Sequence, residues 1–289
     1  MFSDSSKEQS SVSSGKRPAE FKEKYRRLAP IGSGGLSWLY EGVRRADNLP
    51  VAIKYIPTRA VSTELVMHDG KQYSLFSEVA LMLKAAGLSG SVGRSSVVSL
   101  LDWYLVGGEL ILVTERPLHS CDLHKYLQHT GGHLEEREAK MILRQLVDAA
   151  MDMRSKGVFH GDMTLQNVLL DFSGWVPRVR IINLGCGTFS TESSQHSYSG
   201  TLAFAPPEWF LKGTYSCGPT TVWQLGGLFH AMLNGQGRFS SATVMYKGAD
   251  ISRELSADCK MILEMCLARD PAQRATLEEL QACPALNRN

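Results

Sequence analysis

Residues 159–170 read FHGDMTLQNVLL, and residues 183–185, thirteen past Leu170, read NLG. Together they gather His160, Asp162, Asn167 and Asn183 in a short span, with no lysine or arginine inside either stretch. What such a set does depends on the chain around it.

Upstream, strand-like runs dominate: WLYEGVRR (38–45), PVAIKYI (50–56), VVSLLDWYLV (97–106) and ELILVTE (109–115). Among them QYSLFSEVALMLKAA (72–86) places Leu75, Val79, Met82 and Leu83 on one helical face. Downstream, helices take over. The stretch 135–157 predicts a long amphipathic helix with acids at its start and Gly157 as its stop. TTVWQLGGLFHAML (220–233) is nearly continuous apolar and predicts a buried helix; 257–268 and 276–283 predict two more. The fold class is therefore α+β, a small β-rich N-terminal lobe with one helix followed by a larger helical C-terminal lobe. Residues 1–24, with seven serines in the first fourteen positions, are expected to be a disordered tail, residues 25–118 the first lobe and 119–289 the second.

Bulk properties exclude several classes. A net charge of +2 over 289 residues argues against nucleic acid or a membrane surface as partner. Apolar runs such as LILVT are far too short to span a bilayer, and the N-terminus shows no apolar signal core. The six cysteines are scattered without a CxxC, the pattern of reduced thiols in a cytoplasmic or nuclear protein. His129 and His133 are four apart, but the intervening TGG is poor helix, which argues against a metal pair.

IGSGGLSWLYEG (31–42) joins two strand-like runs, and a glycine-rich turn lets backbone N–H groups approach phosphate oxygens. Alone it is equally a plain hairpin turn. Lys54 in VAIK and Glu78 in the helix that follows could each be ordinary surface charges; their order and spacing favour a strand–helix ion pair.

Taken together, the glycine loop, VAIK, the helix glutamate, HGDMTLQN, NLG, PPEW and a late RDPAQR follow protein-kinase order over residues 25–285. Within that superfamily the chain resembles the Pim serine/threonine kinases, through LLDWY (100–104), ERPLHSCDL (115–123), GTLAFAPPEW (200–209) and TVWQLGGLF (221–229). The resemblance implies a bilobal kinase fold with ATP in the interlobe cleft. Lys54 holds the α- and β-phosphates, Glu78 steers it, Asp162 takes the substrate hydroxyl proton, and Asn167 and Asn183 meet Mg²⁺. Nucleotide contacts are implied at Gly32, Ser33, Gly34, Gly35, Leu39, Ala52, Lys54, Glu115 and Leu169. Pro117 matches the Pim hinge proline; lacking an N–H, it leaves adenine one hydrogen bond, to the Glu115 carbonyl. His160 matches a structural histidine, and Glu208 and Arg274 a buried ion pair.

Four positions depart from the kinase pattern. Asn183 replaces the metal-binding aspartate of D-F-G, Gly161 the arginine of H-R-D, Thr164 the lysine two residues past Asp162, and Ser37 the third loop glycine. An amide oxygen is a weaker ligand than a carboxylate for a hard cation. Losing one such charge costs about 3 kcal/mol, roughly a hundredfold in rate. Lys125, Leu165 and Gln166 also stand where the Pim pattern has acids, so Asp122 is left to represent the basic-peptide trough. The expectation is a monomeric Pim-like protein that binds ATP, with Mg²⁺ weakly held and phosphotransfer weak or lost. It then serves as a signalling or binding module whose protein partner or substrate is unknown. The alternative is an active serine/threonine kinase with Asp162 as base.

Overall fold

The computed structural model describes residues 18–34, 37–68, 70–86, 92–190, 193–234, 239–249 and 254–288. The chain forms two compact units. The first runs through Leu83 and includes Ser99–Arg116; the second holds Lys84–Ala86, Gly93–Val98 and the chain from Pro117 onward.

In order, the first part of the chain forms α1 (Pro18–Lys24), β1 (Tyr25–Gly34), β2 (Ser37–Arg44), β3 (Pro50–Pro57), β4 (Thr63–His68), β5 (Lys71–Phe76), α2 (Ser77–Ala86), β6 (Leu100–Val106) and β7 (Glu109–Glu115). Five strands make one antiparallel sheet in the order β1-β2-β3-β7-β6, and β4 and β5 make a separate hairpin. Strand periodicity divides the sheet by chemistry. Val51 and Ile53 are buried with Phe21, Tyr25, Tyr104, Ile111 and Val113 on one face. Ala52 and Lys54, and their partners Glu41 and Leu39 on β2, take the other face.

Two expectations need correction here. Residues 18–24, assigned to the serine-rich tail, form α1, because Phe21 is buried against Tyr25 and Tyr104; residues 1–17 lie outside the described residues. Residues 72–76 are strand, so Leu75 belongs to β5 and pairs with Glu64 of β4 instead of joining a helical face. Among the described residues this first part of the chain thus has two α-helices where one was expected.

The second part forms β8 (Ser120–Asp122), α3 (Leu123–His129), α4 (Glu136–Ser155), β9 (Val158–Phe159), β10 (Val168–Asp171), β11 (Arg178–Ile181), β12 (Thr188–Phe189), α5 (Pro207–Lys212), α6 (Cys217–Leu233), α7 (Ser241–Lys247), α8 (Ala257–Cys266), α9 (Leu277–Ala282) and α10 (Pro284–Asn287). Helix α4 buries Ala139, Ile142, Leu143, Leu146, Ala150 and Met153 at three- and four-residue spacing. It ends at Ser155 with Lys156 as its C-cap, and Gly157 follows with φ +66°, a left-handed stop that glycine adopts without strain. Helix α6 is buried on nearly every side and packs on α4 and α8. A Cβ on Gly226 would meet the Cys266 Cβ at 2.5 Å, so the glycine sets how close α6 and α8 lie.

Glu208 at the start of α5 and Arg274 form the expected pair. Nη1 donates to Oε1 and Nη2 to Oε2, both at 2.9 Å. Nη1 also donates to the Pro219 carbonyl and Nε to that of Ala268, and the guanidinium lies 5.1 Å from the Trp223 ring centroid. The Arg274 side chain is 0% exposed, so removing either partner strands a buried charge. Arg274→Met should cost about 3–5 kcal/mol in urea unfolding, and adding Glu208→Leu should recover part of that loss. A single-substitution loss below about 1 kcal/mol would contradict a buried, mutually dependent pair.

Candidate active site

In the first unit the Lys54 Nζ donates to both Glu78 oxygens, at 2.7 and 2.9 Å. Lys54 stands on β3 and Glu78 in the first turn of α2, where the helix dipole favours an acid. Glu78 is 4% exposed, so the ion pair is sheltered from solvent screening. Leu39 lies opposite Lys54, and Ala52 opposite Glu41, on the same sheet face. Glu115 pairs with Val51 in the ladder, and its side chain accepts the Ser99 N–H at 2.7 Å. The carboxylate is therefore committed within the fold. Gly34 pairs with Ser37 where β1 turns into β2, with Gly32 and Ser33 just before it; Gly35 lies outside the described residues.

In the second unit the catalytic-type loop lies between β9 and β10. His160 Nδ1 accepts the Asp162 N–H at 3.1 Å, so Nε2 carries the proton and donates to the Ile182 carbonyl at 3.0 Å. That bond ties the loop to the residue before Asn183. The Asn167 Nδ2 donates at 2.8 Å to the Asp162 carbonyl and at 2.8 Å to its Oδ2. Asp162 Oδ1 accepts the backbone N–H of Thr201 at 2.8 Å. Leu169, half-buried on β10, pairs with Asp122 and Arg180.

Asn183 is a non-glycine residue at φ +66°, a region asparagine tolerates better than most. Its Nδ2 donates to Asn167 Oδ1 at 3.1 Å. A carboxylate oxygen at 183 facing the Asn167 amide oxygen at such a distance would repel it without a cation between them; here an N–H lies between instead. The donor set is neutral amides, and among the described residues no group of three or more His, Cys, Asp or Glu could hold a metal ion. A hard divalent cation prefers charged oxygen ligands, so Mg²⁺ does not fit these residues well.

Gly161 is more than a lost charge. It sits at φ +78°, and a Cβ there would meet the Cys186 carbonyl oxygen at 2.6 Å. The loop path excludes any side chain at 161, which the sequence, read as a missing arginine, did not reveal. Thr164, 4% exposed, accepts the Asn167 N–H on its carbonyl. Asp122 caps α3 by accepting the Lys125 N–H at 2.9 Å, and the Lys125 Nζ lies 3.0 Å from its carboxylate. The one acid left from the expected trough is neutralised by its neighbour.

Sequence reasoning missed Gln224 and Tyr198. Gln224 Nε2 donates to the Gly161 carbonyl at 2.9 Å and to the Tyr198 hydroxyl at 3.0 Å; its Oε1 accepts the Met163 N–H at 3.2 Å. Tyr198 packs edge-on against Tyr215, 5.4 Å between centroids, and beside Trp209. Burial pushes the Tyr198 hydroxyl pKa well above its ordinary value. A polar residue inside the apolar run 220–233 was the available signal.

Gly161→Ala should lower stability by about 1–3 kcal/mol, since it combines positive φ with a carbonyl clash. Gly218→Ala, where a Cβ meets nothing within 4 Å, should be neutral or slightly stabilising. Equal losses at both positions in urea unfolding would contradict this reading of Gly161.

The protein kinase domain family model matches residues 25–285. Serine/threonine-protein kinase pim-2 of Danio rerio is 32% identical over 267 residues, covering 91% of this chain and 85% of that protein. Serine/threonine-protein kinase prk-2 of Caenorhabditis elegans is 30% identical over 267 residues, 91% of this chain and 58% of that one. The PAS domain-containing serine/threonine-protein kinase of Mus musculus is 25% identical over 269 residues, 90% of this chain but only 18% of that protein. With its antiparallel first unit, its helical second unit and these relatives, the chain belongs to the protein kinase family and is similar within it to the Pim serine/threonine kinases.

Proposed function

We propose that this protein binds ATP with little dependence on a divalent cation and works mainly as a binding or signalling module, its phosphotransfer weak or lost. The observation that carries this is the Asn183-to-Asn167 amide hydrogen bond. It satisfies without charge the pair of positions at which the kinase pattern holds its metal. The Lys54–Glu78 ion pair supports nucleotide binding, because a lysine held by a buried carboxylate is oriented for phosphate oxygens. Leu39 and Ala52 share its sheet face and supply apolar surface for a base. Glu115 would contribute only its backbone carbonyl, since its side chain is engaged with Ser99.

Phosphoryl transfer is positioning and electrostatics, and this chain has kept much of the first and lost much of the second. Asp162 keeps the carboxylate that would orient a substrate hydroxyl, which supports a second reading: a slow but active serine/threonine kinase. On either reading the partners are ATP and a protein. Lys125 beside Asp122 weakens selection for arginine-rich peptides. Among the described residues no helix is long and apolar enough to cross a membrane. All six cysteines are free, which supports a reducing compartment, cytoplasm or nucleus.

Restoring charge separates the two readings. Asn183→Asp should give the largest single gain in phosphate transfer to a basic peptide, about a hundredfold. Thr164→Lys should add to it, less than multiplicatively, because both act on the same phosphates. Each background is compared with its own Asp162→Ala blank. Wild-type turnover well above its blank would establish the active reading instead. Gly161→Arg is not a useful reversion, since the loop path rejects a Cβ.

A further inference from the structure

We propose that Gln224 is a positioning residue that sets the Asp162 loop, and that its bond to the Tyr198 hydroxyl holds residues 195–201 in place without a charge or a phosphate. Three hydrogen bonds meet on one side chain. Gln224 binds the carbonyl of Gly161 and the N–H of Met163, the two residues flanking Asp162. Gln224 is itself 0% exposed on α6, the most buried helix of the unit. The loop is thus gripped on both sides of its aspartate by a rigid element.

The third bond reaches the segment that faces the aspartate. Tyr198 is anchored at its hydroxyl, which accepts from Gln224 and donates to the Thr201 carbonyl at 3.5 Å, and at its ring by Tyr215 and Trp209. Three residues on, the Thr201 N–H donates to Asp162 Oδ1. Further uncharged bonds fix the same stretch: Gln195 and Tyr215 exchange backbone N–H···O bonds, the Tyr215 hydroxyl donates to the Ser197 carbonyl, and the Cys186 thiol donates to that of Ser199. Gly161 makes this arrangement possible. A side chain there would strike the Cys186 carbonyl, and a Cβ on Gly200 would strike the Gly161 carbonyl. A buried amide pays for its desolvation by filling its hydrogen-bonding capacity, and Gln224 fills three positions at once. Gln224 and Tyr198 therefore act as a neutral clasp where an arginine at 161 is sterically excluded. This inference concerns loop geometry and holds whether or not phosphate transfer survives.

Residue-resolved amide hydrogen exchange on the full chain tests it. Tyr198→Phe removes one hydroxyl; it should speed exchange of the Thr201 amide by about tenfold while the Met163 amide and the interior of α6 keep their rates. Gln224→Met keeps the side chain's length; it should speed both Met163 and Thr201 with α6 unchanged. An unaltered Thr201 rate in Tyr198→Phe overturns the proposal. So does Gln224→Met exchange that rises uniformly through the unit, the mark of ordinary core packing. Should Gln224→Met fail to fold, the Tyr198→Phe result alone decides.

Discussion

The Asn167 amide is the point on which the second unit's chemistry turns. Its nitrogen holds both the backbone and the side chain of Asp162, and its oxygen receives the Asn183 amide. With the nitrogen committed to Asp162, the oxygen has one orientation, toward Asn183. Whatever stands at 183 must then either donate a hydrogen bond or share a cation. An asparagine donates. The positive φ at 183, comfortable for asparagine, completes a site that is electrostatically satisfied by protein atoms alone.

The same substitution of neutral bonds for charge recurs around it. The tie between residues 195–201 and the Asp162 loop is made by a glutamine, a tyrosine hydroxyl and backbone amides. Asp122, the remaining acid of the expected trough, is offset by Lys125 one turn into α3. Among the charges that persist are two sheltered ion pairs, Lys54–Glu78 and Glu208–Arg274. The second of these is architectural. The first is compatible with a phosphate ligand, and its presence is the main physical argument for the proposed nucleotide binding. Neutral contacts also change the response to salt and phosphorylation, since hydrogen bonds between uncharged groups are not screened.

Much of this was legible in the sequence because it rests on strong local patterns. The 3.6-residue period of 135–157 gave away α4, and the unbroken apolar run of 220–233 gave away α6. Lys54 with Glu78 and Glu208 with Arg274 followed from motif order, although 24 and 66 residues separate the partners. The failures were of another kind. Leu75, Val79, Met82 and Leu83 fit a helical face, yet strand pairing with β4 claimed Leu75. Residues 18–24 hold a single large apolar side chain, Phe21, too little to predict an element whose stability comes from docking on Tyr25 and Tyr104. Gly161 read as an absence because positive φ and a carbonyl at 2.6 Å are properties of the folded loop. Gln224 lies inside TVWQLGGLF, a stretch read only for family resemblance, and only the folded chain brings it to Tyr198.

The proposal that ATP binding depends little on metal is tested most directly by thermal denaturation with millimolar ATP, in EDTA and in Mg²⁺. A ligand that binds the folded state alone stabilises it by RT ln(1 + [L]/Kd), so the shift in midpoint reports affinity without requiring turnover. The account predicts that ATP raises the wild-type midpoint by similar amounts in EDTA and in Mg²⁺, and that Asn183→Asp makes the shift strongly Mg²⁺-dependent. A wild-type shift seen only with Mg²⁺, or no shift under either condition, would contradict it.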